Sequence, residues 1–245
     1  MTIFPALLAA FAFHPTVAVV DTGADLRQPD IAAARPAVYD VRSRTSDVRD
    51  LNGHGTQVAS IVARESGGAR LMIIRAGSAS GAFSDANEAA AIHYAVDHGA
   101  RIVNLSLGGP RTSAVERAAV RYAFAHGVLV VAAAGDDYTS RPEYPAALLG
   151  ADGLAVAAVT SAGAHAVFSN TGPWVSVAAL GDNGTSFAAP HVAAAAARVW
   201  EANPRLTARG VAAILRETAS GRGTRTDELG FGVVDVAAAL AQARR

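Results

Sequence analysis

Short unbroken apolar runs alternate along this chain with helix patterns, and that rhythm limits the folds open to it. Val17-Ala18-Val19-Val20 is the first run, ending at Asp21-Thr22-Gly23. Residues 70–75, 101–105, 128–133 and 154–160 are four more. They are continuous rather than alternating, so each predicts a strand buried on both faces. Asp85-x-x-Glu88 opens a helix that runs through Tyr94 and stops near Gly99. Ser113-x-x-Glu116 opens another, with Val120 and Phe124 on its apolar side and Gly127 as its stop. Thr207 and Asp235 are N-cap candidates for two late helices. The order predicts an α/β fold: a three-layer α/β/α sandwich around a mostly parallel central sheet.

Composition removes several chemistries. The chain has no cysteine and no lysine, so thiol nucleophiles, disulfides, cysteine metal sites, Schiff-base lysines and serine–lysine dyads are excluded. Arginine and the acids balance at 21 each, which argues against nucleic-acid binding driven by bulk charge. No apolar run reaches the roughly 18 residues that a membrane span needs. Residues 1–13 carry no charged side chain and read either as a short export signal or as a buried arm. The expectation is a secreted or periplasmic protein, with a cytoplasmic one as the alternative.

In an open α/β sheet, reactive groups gather beyond the carboxyl ends of the strands. Three segments have the form expected there. Asp21 stands just past a buried strand. His54 lies between glycines in Asn52-Gly53-His54-Gly55-Thr56 and opens a helix. Ser186 enters an alanine-rich helix in Asn183-Gly184-Thr185-Ser186-Phe187-Ala188. Together they supply a weak nucleophile, a base that works at neutral pH, and a carboxylate to orient that base.

These motifs, in the order Asp…His…Ser, resemble the subtilisin-like serine proteases, the subtilase or S8 peptidase family. The likeness runs from about His14 to Leu240, so a peptidase domain is expected over 14–245. It implies Asp21 as orienting acid, His54 as general base and Ser186 as nucleophile. It implies that Ser106, Leu107 and Gly108 pair with peptide and form one wall of a specificity pocket. Ala133, Ala134 and Gly135 resemble the opposite wall. Ser80, Gly81 and Phe83 resemble the second substrate-flanking strand and an apolar wall. Tyr144-Pro145, Phe168-Ser169-Asn170 and 230–235 resemble family landmarks. A roomy apolar pocket is the expected substrate preference.

Some positions depart from the family's pattern. The family has an asparagine after Ala-Ala-Gly that donates to the oxyanion; here it is Asp136. The oxyanion hole would then be Asp136 and the Ser186 N–H. Asp136 has three readings: protonated and donating, turned away, or impairing. Phe187 replaces the usual methionine and adds bulk on the leaving-group side. The 63–69 connection is too short for the family's usual calcium loop, and 177–185 is also contracted. No metal or organic cofactor is expected, calcium being the one open case. With only twenty residues before Asp21, a propeptide or inhibitor would be supplied separately. The expected activity is endopeptidase action on a peptide or protein. The alternative is a pseudoenzyme that keeps the fold to bind peptides.

Overall fold

The computed structural model describes residues 13–245, so the N-terminal segment expected over 1–13 lies, except for Phe13, outside the described residues. The described residues form one seven-stranded sheet in the order β2-β3-β1-β4-β5-β6-β7. The strands are β1 Thr16–Asp21, β2 Ala37–Asp40, β3 Arg70–Arg75, β4 Ile102–Leu105, β5 Leu129–Ala133, β6 Leu154–Val159 and β7 Val177–Leu180. Every neighbouring pair is parallel. The helices are α1 Pro29–Ala34, α2 His54–Glu65, α3 Asp85–Asp97, α4 Ala114–Ala125, α5 Thr185–Ala202, α6 Ala208–Glu217 and α7 Val236–Ala243.

The continuous apolar runs follow from this layering. Successive strand residues point to opposite faces. Val17 and Val19 of β1 join one core with α2 and α5, while Ala18 and Val20 join another with α3 and α4. Both faces are covered, so neither can be polar. The same alternation sends Asp21 to the α2 and α5 side. In α5, Ala188, Ala189 and the run from Ala193 to Ala197 are buried and offer no bulk, which lets the helix lie against β4, β5, β6 and β7.

Caps behave as local chemistry requires. Ser113, Thr207 and Asp235 accept from the N–H groups of Glu116, Gly210 and Ala238. α3 departs from the sequence expectation. Its cap is Ser84, which accepts from Asn87 N–H, and Glu88 is turned inward and buried. β2 and β7 have no counterpart among the predicted strands. With β3 on one side of β1 and β4 on the other, the chain order reverses at β1. The crevice this creates lies beyond the carboxyl ends of β1 and β4.

Candidate active site

Asp21 ends β1, fully buried, and His54 begins α2. Their side chains meet, with Nδ1 of His54 2.7 Å from Oδ1 of Asp21. Thr22 N–H donates to the same oxygen at 2.7 Å. The glycine after His54 permits this approach, since a Cβ at Gly55 would overlap the Gly23 carbonyl. Burial pulls the His54 pKa down. The hydrogen bond and charge of Asp21, with Asp50 and Asp136 adding to them, outweigh this and raise it above 6.5.

Asp50 is a site residue that sequence reasoning missed. It ends the polar stretch 42–50 (RSRTSDVRD), but it is partly buried and holds the start of α2. Its Oδ2 accepts from Thr56 N–H at 2.8 Å and from Thr56 Oγ1 at 2.6 Å. Its Oδ1 accepts from Gly53 N–H at 2.8 Å and from Thr22 Oγ1 at 2.9 Å. Burial alone would push this carboxyl up; the donors outweigh it and hold it below its ordinary range. Asp50 thus ties the residue after Asp21 to the helix that carries His54. The available signal was an aspartate a few residues before a helix start.

Ser186 is the second residue of α5. Pro190 lies four residues on and has no N–H, so the helix cannot satisfy the Ser186 carbonyl. Ser106 Oγ does so instead, donating at 2.6 Å, and Asn104 Nδ2 donates to that Oγ at 3.0 Å. The backbone of Ser186 is therefore pinned to the end of β4. The Ser186 hydroxyl donates to Ser106 O at 3.3 Å; among the described residues it makes no bond to His54. The Phe187 ring stands against the His54 ring, with centroids 5.5 Å apart.

Asp136 caps α5. Its Oδ1 accepts from Thr185 N–H at 2.8 Å, and Gly135 N–H donates to Thr185 Oγ1 at 3.0 Å. The carboxylate is thus engaged as an acceptor at a helix N-terminus, where negative charge is favoured.

A cavity of about 290 Å³ adjoins Ser186 and also touches Leu107, Gly108, Ala133, Gly135 and Asp136. Ala134 does not line it; its methyl packs with Ala157, Val159, Val175 and Ala178. Ser80 and Gly81 sit in a turn joined to the His54 loop by Asn52 Nδ2, which donates to Ala79 O at 3.2 Å. Phe83 is half-buried and packs beside Gly77. The roomy apolar pocket expected from the sequence is not what the chain builds. Asp136, Asp137 and Glu143 all line this cavity. Glu143 is 7% exposed. It escaped the sequence reading because it lies 43 residues before Ser186, in a segment known there only by its Tyr144-Pro145 landmark.

Comparison with known proteins follows the same lines. The subtilase family profile matches residues 14–232. "Thermophilic serine proteinase" of Bacillus sp. (strain AK1) is 38% identical over 205 residues, covering 74% of this chain and 51% of that protein. The chain thus spans about half the length of that relative. "Subtilisin Savinase" of Lederbergia lenta is 35% identical over 246 residues, covering 91% of this chain and 89% of the relative. Among solved structures, a cold adapted subtilisin-like serine proteinase superposes with a TM-score of 0.79 at 27% identity, covering 91% of this chain and 88% of the other.

Proposed function

This chain belongs to the subtilase family, and from that premise we propose that it is a serine endopeptidase working through an acyl-enzyme on Ser186. The observation that carries the reading is the 2.7 Å contact between Asp21 and His54 at the mouth of the crevice where α5 begins. Ser186 Oγ attacks the peptide carbonyl carbon. His54 Nε2 takes the hydroxyl proton and later gives it to the leaving amine. Asp21 holds the Nδ1–H and stabilises the imidazolium that forms. The Ser186 hydroxyl turns from Ser106 O to His54 Nε2 when substrate binds; such bonds are often long or misaligned without substrate. Water, activated by the same histidine, then releases the acid product.

Substrate lies as an extended strand between 106–108 and 80–81, with Phe83 as an apolar wall further along. The oxyanion is held by the Ser186 N–H at the start of α5. Asp136 contributes no donor there, because a carboxylate carries only acceptors, one of which takes Thr185 N–H. The enzyme is therefore slower than one with an amide at that position. Hydrolysis proceeds on this chain's own side chains, without a metal or organic cofactor. The protein acts outside the cytoplasm, a reading supported by the apolar character of 1–13.

The test is turnover of a peptide anilide by the purified chain. Ser186→Ala and His54→Ala should each lower kcat by several orders of magnitude while leaving the circular dichroism spectrum unchanged. Undiminished turnover in Ser186→Ala would overturn the assignment.

A further inference from the structure

On the reading of Ser186 as nucleophile, we propose that Glu143 makes the adjoining cavity a selector for a cationic side chain, arginine or lysine, on the residue N-terminal to the cleaved bond. The segment that carries Glu143 is fixed by backbone. Gly109 N–H donates to Tyr144 O, and Tyr144 N–H to Gly109 O, both at 2.9 Å. The Glu143 side chain then passes between the two glycine walls of the cavity. A Cβ at Gly108 would come within 2.8 Å of its Oε1, and one at Gly135 within 3.0 Å of its Cγ. Glycine at both walls leaves the glutamate its room, although Gly135 is also required by its positive φ and by Asn170, whose Nδ2 a Cβ there would overlap.

The carboxylate has no compensation from the protein. Among the described residues no donor reaches it, and no basic side chain lines the cavity. A buried charge without a partner is costly, and a ligand cation is the group that offsets it. The remaining walls suit such a ligand. Leu107 and Ala133 offer apolar surface for an alkyl stem, while the carboxylate meets the charged head. A guanidinium would make the stronger pair, through two parallel bonds. Asp136 and Asp137, exposed on the rim, add a field of the same sign.

The selectivity should also depend on pH. Burial, with Asp137, Asp136 and Glu116 adding to it, pushes Glu143 up to about 7. Below that value the cavity presents a neutral acid; above it, a carboxylate. Preference for a cation therefore grows as pH rises through about 7.

The experiment compares kcat/KM for two tetrapeptide anilides that differ only in arginine or leucine before the cleaved bond. Taking the ratio cancels the titration of His54, which both substrates share. At pH 8 the chain should favour arginine, and Glu143→Gln, which keeps the shape, should lower the arginine-to-leucine ratio about 30-fold or more. The native ratio should shrink at pH 6. A ratio that favours leucine at pH 8, or one that Glu143→Gln leaves in place, would overturn the proposal. A second readout does not need turnover. Benzamidine should bind the folded Ser186→Ala chain by calorimetry and lose that binding when Glu143→Gln is added. If neither anilide is cleaved and Ser186 is inert, the nucleophile reading fails, and the benzamidine result alone then upholds or overturns the cation site.

Discussion

At the scale of single residues, the position of the nucleophile depends on a missing hydrogen bond. Pro190 leaves the Ser186 carbonyl without its helical donor, and the Ser106 hydroxyl takes that role. Ser106→Ala would leave a part-buried acceptor unsatisfied. We expect urea denaturation to show a loss of about 1–3 kcal/mol, together with a lower kcat. Asp136 acts at the same scale. In Asp136→Asn the amide oxygen can still accept from Thr185 N–H while its nitrogen becomes free to donate to the oxyanion. That change should raise kcat about tenfold or more. It should also shift the acid limb of the pH–rate profile downward, because the Asp136 charge is one of the groups raising His54. Only neutral His54 accepts the proton, so the rate climbs as pH passes the raised pKa. A kcat that stays the same or falls in Asp136→Asn would contradict this.

At the scale of elements, α3 and α4 each bury an acid, Glu88 and Glu116. Glu88 is pushed up to about 8 by burial, with Glu116 and Asp85 adding to it. The unfolded chain ionises near 4.5, so between about 4.5 and 8 the unfolded state releases its proton first. The contribution of Glu88 to stability falls across that window. Glu88→Gln should raise Tm at pH 8 and change it little at pH 4; an equal gain at both pH values would show that ionisation is not the cause. This pair also shows where sequence reading stops. Asp85-x-x-Glu88 has the form of a capping box, yet Ser84 does the capping and Glu88 faces inward. Elements whose pattern came from burial on both faces, such as β1 and β3, were legible to within a residue. β2 was not, because Ala37–Asp40 is a short edge strand with an exposed or half-buried outer part. β7 was not, because Val177–Leu180 lies in a segment that reads as a contracted loop.

At the scale of the molecule, the parallel sheet gathers the ends of β1, β4 and β5 at one crevice. Asp21 ends β1, Ser106 and Gly135 follow β4 and β5, and α2 and α5 deliver His54 and Ser186 to the same edge. That convergence was legible because each group sits in a short motif at a strand or helix end. Asp50 and Glu143 were not legible in the same way. Their roles come from contacts with residues distant in the chain, and neither carries a local pattern that marks it. All of this chemistry requires Ser186 to be an activated nucleophile within an otherwise intact fold. The most direct measurement is reaction of the native chain with a fluorophosphonate probe, followed by peptide mapping. A single adduct should form on Ser186, absent from Ser186→Ala and strongly slowed in His54→Ala. Folded native protein that takes up no probe at Ser186 would contradict it.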